Sequence, residues 1–522
     1  MRDRKHEDAA RRPEEGFSSS LRVWTASPRR FFHPPSFRSP LVCEIELEAD
    51  DLLRALLALG PARRVSILDS GGARAPDARY LIAGFDPFET IEARGGRLCV
   101  RRRGLGDESI ERADVLDALD DRLKRYELLP GPRPAAGACI ATLAYDLVHR
   151  LEPLRAGRKL RASGEPDAAL AFYDTLIIHD YAHKSTKIIS VAGPEGIETV
   201  YRAVRESLRK ASREPVREPT EPPASLLRAA TSPHPAHTAR VRSNLSRDAY
   251  IAAVRRIKDH IFAGDIYQAN LTQRFRYRLA PSTGPEQIFW RLRRDHPASF
   301  AAFIRRRDDV VISASPERFL RVRTGSAGRQ IEAWPIKGTR PRGVNQDEDA
   351  RLCRELLASE KDRAENIMIV DLVRNDLGRV CCYGSVEVTE LCSIQEHPTL
   401  FHLVSKVRGT LRREATAGDI LRATFPCGSI TGAPKIRAME IISEVEPSAR
   451  GLSMGAIGYF SFDGAMDLNV AIRTMVIRDR VARFNTGGGI VADSDPALEY
   501  EESLVKARAL LRALKDEKMP ER

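Results

Sequence analysis

The sequence predicts an α+β fold built around large, mostly antiparallel sheets. Long strand-like runs are mixed with helical segments, and they do not follow the regular strand–helix–strand order of a parallel sheet. The chain has 522 residues, of which 42% are hydrophobic, so it can bury a sizeable core and is too apolar to be disordered throughout. We therefore expect two subdomains, or one unusually large one.

Four segments follow one another along the chain. Residues 1–40 carry nine Lys/Arg against five Asp/Glu and mix arginine with serine and proline, which predicts a disordered basic arm. Residues 41–200 form an N-terminal domain of short strand-like runs, such as Ala169–His179, between Gly/Pro/Asp turns. Residues 201–245 contain six prolines and predict a linker. Residues 246–515, the densest in motifs, are expected to form the catalytic domain.

The last segment opens with a helix and a strand. Apolar residues recur at helical spacing between Tyr250 and Ile261, and Gly264 follows where the helix should end. Apolar residues occupy the odd positions of Tyr267–Leu279 except Gln273, whereas polar residues such as Gln268 and Asn270 occupy the even positions. Solvent would ordinarily explain such a polar face. Further strands are expected at 310–313, 386–388, 455–462 and 475–477, and further helices near 347–359, 362–370, 434–444 and 496–514.

Net charge and composition exclude several classes of partner. The formal charge is +12, but residues 1–40 contribute +4 and residues 202–242 contribute +5, which leaves a nearly neutral body and argues against a nucleic-acid-binding surface. No stretch approaches the roughly 18 apolar residues of a membrane span. The arm lacks the apolar core of a secretory signal. Because the eight cysteines form no C-x-x-C pair, we expect a reduced, cytoplasmic protein.

Two glycine-containing segments could bring the backbone close to an anion. In GSITGAPK, Pro434 stands where a helix could begin, so that free N–H groups, the helix dipole and Thr431 would converge. A carboxylate or phosphate would fit there. Thr486–Gly489 follows a strand-like run, and its three glycines are compatible with a flexible turn or with a close approach of a ligand.

Acidic residues recur at helical spacing in two segments. Asp362 and Glu365 are three residues apart, as are Glu499 and Glu502, and Lys506 lies four residues beyond Glu502. Each pair shares a helix face. This spacing is compatible with a solvated face, and equally with two helices that converge to present oxygen ligands to Mg²⁺.

A lysine and a glutamate stand in surroundings that could change their chemistry. Lys337 lies between Ile336 and Gly338 in a Pro-bounded stretch, which is compatible with a lysine that reaches solvent from a turn or with a desolvated, nucleophilic amine. Glu317 ends an apolar strand, where burial would raise its pKa and suit it to general acid catalysis.

Six stretches together resemble the chorismate-utilising enzymes. In chain order they read GDIYQANLTQRF, SASPERF, PIKGTRPRG, ENIMIVDLVRNDLGRV, GSITGAPKIRAMEIISE and NTGGGIVADS. The group includes the large subunits of anthranilate synthase and aminodeoxychorismate synthase, and the isochorismate and salicylate synthases. The resemblance covers about residues 246–515 and implies a two-subdomain α/β sandwich whose large sheets enclose the site. The polar strand face is then expected to line a cavity.

Two positions discriminate within the group. Anthranilate synthases usually have a small residue where this chain has Lys337, whereas PIKGT is typical of aminodeoxychorismate synthase component I. Isochorismate-type enzymes usually have a water-activating lysine where this chain has Gln268. The resemblance therefore implies formation of 4-amino-4-deoxychorismate from chorismate and ammonia, for 4-aminobenzoate and folate, with ammonia from a separate glutamine amidotransferase subunit. Anthranilate synthase component I is the alternative, and a non-catalytic basic binding protein a distant one.

The resemblance also assigns roles to individual residues. It implies a covalent intermediate on Lys337 with Glu317 as the general acid, and Mg²⁺ bound by Glu365 and Glu502 with support from Asp362 and Glu499. The implied substrate-binding residues are Gln268, Thr339, His402, Thr431, Tyr459, Arg473, Gly487, Gly488, Gly489 and Lys506. A tryptophan pocket in the N-terminal half would be outlined by Ser70, Ser299, Phe300 and Ala301.

Overall fold

The computed structural model describes nine stretches of the chain: 39–71, 78–105, 108–111, 113–131, 134–155, 163–213, 241–325, 328–397 and 400–515. All of the predicted basic arm except its last two residues lies outside this part of the chain, as do residues 214–240 of the predicted linker. The described residues all belong to one compact unit.

Helices and strands alternate irregularly, which confirms the α+β class. In the described residues the helices are α1 (Ala49–Leu57), α2 (Val115–Arg125), α3 (Val148–Leu151), α4 (Pro194–Arg213), α5 (Arg247–Phe262), α6 (Pro285–Asp295), α7 (Gln346–Ala358), α8 (Glu360–Gly378), α9 (Ala417–Thr424), α10 (Lys435–Val445) and α11 (Pro496–Leu514). None of these helices combines the length and the apolar character that a membrane crossing requires.

The strands of the same residues are β1 (Leu41–Ile45), β2 (Ser66–Asp69), β3 (Tyr80–Gly84), β4 (Glu89–Arg94), β5 (Arg97–Arg102), β6 (Glu108–Glu111), β7 (Ala138–Leu143), β8 (Ala168–Tyr173), β9 (Thr175–Asp180), β10 (Ser185–Ser190), β11 (Val241–Ser243), β12 (Gln268–Arg278), β13 (Phe300–Arg305), β14 (Val310–Ser315), β15 (Arg318–Gly325), β16 (Gly328–Ala333), β17 (Ile336–Pro341), β18 (Glu387–Glu396), β19 (Leu400–Thr410), β20 (Gly432–Ala433), β21 (Ala456–Ser461), β22 (Met466–Val470), β23 (Thr474–Arg478) and β24 (Val481–Ile490). The four further strands expected from the sequence correspond to β14, β18, β21 and β23. Three of them differ by one or two residues at their ends, whereas β18 continues to Glu396, far beyond the expected end at 388.

Two antiparallel sheets of twelve strands each form a sandwich. The first sheet runs β1-β10-β9-β3-β2-β13-β14-β23-β24-β12-β11, with β20 paired to β12. The second runs β17-β19-β16-β15-β22-β21-β7-β8-β4-β5-β6, with β18 paired to β19. Ile178 and Ile304 of the first sheet belong to one buried apolar cluster with Ile140 and Ile457 of the second. This cluster fills the space between the sheets, as the predicted sandwich requires.

Both sheets combine strands from the two halves of the chain. Strand β2 pairs with β13, with Asp69 opposite Ala301, and β7 pairs with β21, with Ile140 opposite Tyr459. The segments 41–200 and 246–515 therefore share both sheets. The predicted linker begins later than expected, because α4 continues to Arg213.

The predicted run Ala169–His179 is divided between the two sheets. Strand β8 belongs to the second sheet and β9 to the first, and the chain crosses between them at Asp174. Buried residues dominate both strands, so the apolar pattern contains no break that would mark the crossing.

The expected elements at the start of the catalytic segment are largely confirmed. Helix α5 buries Tyr250, Val254 and Ile257, and Gly264 has a φ of +80° just beyond its end, a conformation that favours glycine. Tyr267 does not lie on the core face as predicted, since β12 begins only at Gln268 and the tyrosine is 72% exposed.

Candidate active site

Lys337 and Glu317 meet at one turn between α9 and α10. The Lys337 Nζ donates to the main-chain oxygen of Ser429 at 3.2 Å. Glu317, between β14 and β15, is 4% exposed and lies close enough to Ser429 and Lys337 for both to affect its pKa. Burial raises the pKa of Glu317 from its ordinary 4.5 to about 7, although Ser429 and the charge of Lys337 both lower it. The glutamate can therefore hold a proton near neutral pH beside an amine.

A bulged strand presents Lys337. The register of β17 against β19 shifts between Ile336 and Thr339, and Gly338 has a φ of +87°. A Cβ at Gly338 would lie 2.9 Å from Leu356 and 3.0 Å from Asp362. Glycine is therefore needed both for the turn of the backbone and for the close approach of α7 and α8.

The three glycines lie inside strand β24 and do not form a flexible turn. Gly489 is opposite Asn270 of β12, and Gly488 is opposite Leu271. A Cβ at Gly489 would lie 2.0 Å from the Gln268 Nε2 and 3.6 Å from the Lys337 Nζ. The missing side chain leaves room for both groups beside the strand.

The polar face of β12 is buried at this end of the strand. Gln268 is 1% exposed and Asn270 is 8% exposed, so solvent does not explain this face. The Gln268 Oε1 has no hydrogen-bond partner in the described part of the chain. A buried acceptor without a partner is costly unless a ligand or water satisfies it.

Carboxylates from α8 and α11 act on one another. Burial raises the pKa of Glu365 and of Glu499, and the charge of Glu502 contributes to both shifts. For Glu502, burial opposes ionisation, but Lys506, Lys361 and Lys337 together lower its pKa. A group of mutually repelling carboxylates is a suitable environment for a cation.

The carboxylates of α11 face the glycine strand. A Cβ at Gly488 would lie 3.0 Å from the Glu499 Oε2 and 3.5 Å from the Glu502 Oε1. Lys506 forms an ion pair with Glu502 at 2.7 Å and donates to the Gly487 oxygen at 3.0 Å. The predicted acidic pair, lysine and glycines therefore meet at one edge of the site.

These carboxylates fit a hard cation whose coordination shell would be completed by other oxygens. Among the residues that the structure describes, no group of three His, Cys, Asp or Glu could hold a metal ion alone. Asp362 is held by Arg340 at 3.1 Å, and Glu499 accepts from Ser494 at 2.7 Å. Glu502 is paired with Lys506 and acts through its charge on Glu365, and Mg²⁺ typically takes one or two protein carboxylates with water and substrate oxygens.

Arg473 is a half-buried cation without a carboxylate partner in the described chain. Its backbone has a φ of +48°, and burial lowers the pKa of its guanidinium. Burial, with contributions from His397 and Arg473, lowers the pKa of His402 to about 3. The neutral His402 ring is 2.9 Å from the Thr339 hydroxyl through Nδ1. The guanidinium is therefore available to an anionic ligand.

Thr431 and Tyr459 occupy more confined positions. The Thr431 hydroxyl donates to the main-chain oxygens of Cys427 at 3.2 Å and Gly428 at 3.1 Å. Helix α10 begins at Lys435, one residue later than the sequence suggested. Tyr459 lies on β21, where burial raises its pKa and the strongest charged influence is that of Asp467. Thr431 thus shapes the turn that contacts Lys337, whereas Tyr459 lies farther along the second sheet.

The residues of the expected tryptophan pocket fall into two groups. Ser70 follows Asp69, which lies opposite Ala301 across β2 and β13. The Asp69 carboxylate is already bound by Arg293 at 2.8 Å. Ser299 and Phe300 instead line a small cavity together with residues of β15 and β17.

Ser429 is the contact residue that the sequence analysis did not single out. It lies in the GSITGAPK stretch, its main-chain oxygen accepts from Lys337, and it lowers the pKa of Glu317. Its contact with the lysine uses a main-chain oxygen, which any residue type would supply. Only the motif as a whole could have drawn attention to this position.

The chain is similar to known proteins over most of its length. The family model described as chorismate binding enzyme matches residues 67–512. Aminodeoxychorismate synthase component 1 of Klebsiella aerogenes is 39% identical over 457 residues, covering 86% of this chain and 93% of the relative. Anthranilate synthase component 1 of Pseudomonas aeruginosa is 36% identical over 480 residues, covering 91% and 95%.

Solved structures show the same fold. Anthranilate synthase component I from Streptococcus pneumoniae TIGR4 superimposes with a TM-score of 0.66 at 31% identity, covering 83% of this chain and 92% of that one. The family match, the identities and the shared fold lead to one conclusion: the chain belongs to the chorismate-binding enzymes.

Proposed function

We propose that the chain is component I of aminodeoxychorismate synthase and converts chorismate and ammonia to 4-amino-4-deoxychorismate. The observation that supports this proposal is the position of the Lys337 amine, which donates to the Ser429 oxygen and acts through its charge on the buried Glu317. Overall sequence identity does not distinguish the two activities, because relatives named for aminodeoxychorismate synthase and for anthranilate synthase are 39% and 36% identical to the chain. The lysine is the feature that separates the two activities in the resemblance.

Substrate binding follows from the cations and donors of the site. Chorismate carries two carboxylates, and Arg473 has no carboxylate partner in the described chain. Thr339 and His402 form a hydrogen-bonded pair in the same region, and Lys506 lies at the glycine edge. We assign the carboxylates to Arg473 and to the glycine edge with Lys506, since charge-assisted hydrogen bonds are the strongest that such a site can offer.

The first chemical step uses both reacting groups. The amine of Lys337 in its neutral form attacks ring C2, the ring double bonds shift, and the C4–oxygen bond breaks. Glu317 gives its proton to the departing hydroxyl, which leaves as water. Its raised pKa keeps that proton available near neutral pH.

The second step reverses the displacement. Ammonia attacks C4, the double bonds shift back, and the bond between C2 and Lys337 breaks so that the lysine recovers its electron pair. The Glu317 carboxylate accepts the proton that the incoming nitrogen loses. Two displacements by amines replace one difficult substitution, and the new amine occupies the position of the former hydroxyl.

Glu365 and Glu502 would hold Mg²⁺, with Asp362 and Glu499 in support. When bound, the cation would neutralise a substrate carboxylate and bring a dianion close to these glutamates. The mutual repulsion of the carboxylates supports this part of the proposal.

Supply of ammonia is assigned to a separate glutamine amidotransferase subunit. The relatives are named as component 1 of their enzymes, which supports a second component. The eight cysteines are all free thiols, which suits the reducing cytoplasm proposed for the protein. We expect activity with ammonium salts alone, and glutamine-dependent activity only when the second subunit is added.

A product assay tests the proposal. The purified chain is incubated with chorismate, Mg²⁺ and ammonium, and chromatography resolves aminodeoxychorismate, anthranilate and isochorismate. Aminodeoxychorismate is expected, and anthranilate as the main product would identify an anthranilate synthase instead. If chorismate is consumed neither with ammonium nor with glutamine and the second subunit, the result would favour a non-catalytic binding protein.

A trapping experiment tests the role of Lys337. Without ammonia, acid quenching and mass spectrometry should detect a chorismate-derived adduct on the peptide that contains Lys337. Lys337→Ala should lose the adduct and shift residual product towards anthranilate or its amino precursor, because ammonia can then reach C2. Lys187→Ala, on the distant strand β10, is the matched control. Full aminodeoxychorismate formation by Lys337→Ala would contradict the covalent mechanism.

A further inference from the structure

Arg450 is a buried cation just after the end of α10. Its side chain is 1% exposed, and that of Glu446 is 3% exposed. The Arg450 Nε and Nη2 donate to the Glu446 carboxylate at 3.0 Å and 2.8 Å, and the guanidinium lies 4.4 Å from the centre of the Tyr145 ring. Loss of either charge alone would leave the other unpaired in the core, which is strongly destabilising.

The same guanidinium binds two main-chain oxygens of the site. Its Nη1 donates to the Ile430 oxygen at 3.0 Å, and its Nη2 donates to the Asn270 oxygen. Ile430 follows Ser429, whose own oxygen accepts from the Lys337 amine at 3.2 Å. Asn270 belongs to the buried polar face of β12. One side chain therefore joins the turn 428–431, next to the amine, to the strand that lines the site.

The ion pair holds β12 at a second position. The Glu446 carboxylate accepts from the Thr272 amide at 2.8 Å and from the Thr272 hydroxyl at 2.9 Å. The strand and the turn also meet directly, since the Asn270 amide donates to the Thr431 oxygen at 2.7 Å. A single hydrogen bond leaves the turn free to pivot on the strand, whereas the planar guanidinium adds two contacts of fixed relative direction.

The main chain of Arg450 is held by the N-terminal half of the protein. The Asp146 carboxylate accepts from the Arg450 amide at 3.1 Å and from the Gly451 amide at 2.7 Å. Asp146 lies between β7 and α3. The arginine is therefore fixed at its backbone by one half of the chain, while its guanidinium acts on the other half. Support of this kind holds a site in a precise geometry.

We infer that Arg450 is a positioning residue that sets the distance between the turn 428–431 and strand β12, and with it the place of the Lys337 amine relative to the polar face of the strand. The inference rests on the proposed role of Lys337. It goes beyond that role because it assigns the geometry around the amine to a residue that does not touch the amine.

The test replaces the ion pair as a whole. Arg450→Met/Glu446→Gln removes both charges, so no unpaired charge remains in the core, and glutamine keeps an oxygen for Thr272. The matched control is Arg306→Met/Asp309→Asn, which removes another buried pair, with side chains 5% and 2% exposed. That pair lies in the turn between β13 and β14, at the end of β14 opposite the site.

The kinetic measurement follows the consumption of chorismate. For Arg450→Met/Glu446→Gln we expect kcat to fall by about 10²-fold, the effect of a displacement of about 1 Å between reacting groups. KM for chorismate should change little, because the proposed carboxylate-binding groups Arg473 and Lys506 lie on other elements. The control should keep the native kcat even if it unfolds at a lower temperature. This division between kcat and stability separates positioning from support of the fold.

A carbonyl signal reports on the contact itself. Ile430 and Thr431 form the only Ile–Thr dipeptide of the chain, so labelling with ¹³C-carbonyl isoleucine and ¹⁵N-threonine gives one correlated NMR signal. Loss of the hydrogen bond from Arg450 should move the Ile430 carbonyl signal upfield in the double variant. The control should leave the signal in place.

A third variant keeps the test decisive if the double variant is recovered in poor yield. Arg450→Lys retains the charge beside Glu446 but has one nitrogen in place of the two that bind Ile430 and Asn270, so we expect a lower kcat here also. A native kcat in either variant, or a lower kcat in the double variant with an unmoved Ile430 signal, would overturn the inference. Chorismate consumption and the carbonyl signal do not depend on which product forms, so an unexpected product would refute the proposed function without affecting this result.

Discussion

Replacing Glu317 with glutamine should abolish turnover and yet stabilise the protein at alkaline pH. The carboxyl is 4% exposed, and its pKa is about 7 against an ordinary value of 4.5. Since the native pKa is raised, the stability that the carboxyl contributes is fully present below pH 4.5 and is lost as the pH rises through 7. Between pH 5 and pH 8.5 the native state loses about 2 to 3 kcal/mol relative to a neutral side chain.

Glutamine keeps the shape and a hydrogen-bonding oxygen but does not ionise. The difference in unfolding free energy between Glu317→Gln and the native chain should therefore grow by about 2 to 3 kcal/mol in favour of the variant from pH 5 to pH 8.5. Urea midpoints at the two pH values measure this difference. Glu414→Gln, at an exposed glutamate, is the control and should show no such growth.

Two results would refute this reasoning. If Glu317→Gln changed stability equally at pH 5 and pH 8.5, the carboxyl would not be held protonated by burial. If the variant kept its activity, Glu317 could not be the general acid, since removal of such a group typically costs a factor of about 10² to 10⁴ in rate.

Two further predictions concern the rest of the site. Glu365→Gln and Glu502→Gln should each abolish turnover and leave the circular dichroism spectrum native. Excess EDTA should have the same effect on the unaltered chain. Full activity in both variants would mean that these residues lie on a solvated helix face and do not bind a metal. Gly489→Ala should reduce kcat at least tenfold, because its Cβ would lie 2.0 Å from Gln268. Gly325→Ala, where a Cβ meets nothing within 4 Å, should be neutral in the same assay.

The sequence predicted individual strands and residues better than their surroundings. The alternation in β12 correctly separated a polar face containing Gln268 and Asn270. Whether that face meets solvent or a cavity depends on β24, whose glycines remove the opposing side chains. The resemblance supplied this information, because the alternation alone is the same in both cases.

Other features depend on contacts that no local pattern records. Arg473 is distinctive because the described chain gives it no carboxylate partner, and an absent partner leaves no trace in the neighbouring sequence. Ser429 holds Lys337 through a main-chain oxygen, which every residue type possesses. The crossing at Asp174 between the two sheets is hidden because buried residues dominate both flanking strands.

The sharing of both sheets by the two halves of the chain has a consequence for synthesis on the ribosome. The amide of Ala136, next to β7, meets the hydroxyl of Ser461 on β21, 325 residues later. At about 5 to 20 residues per second, roughly 16 to 65 s separate the emergence of these partners. During that interval the first strands have unpaired edges, which invite aggregation. Nascent chains arrested before Ser461 should therefore depend on chaperones that cover such edges, and a fragment ending there should be insoluble.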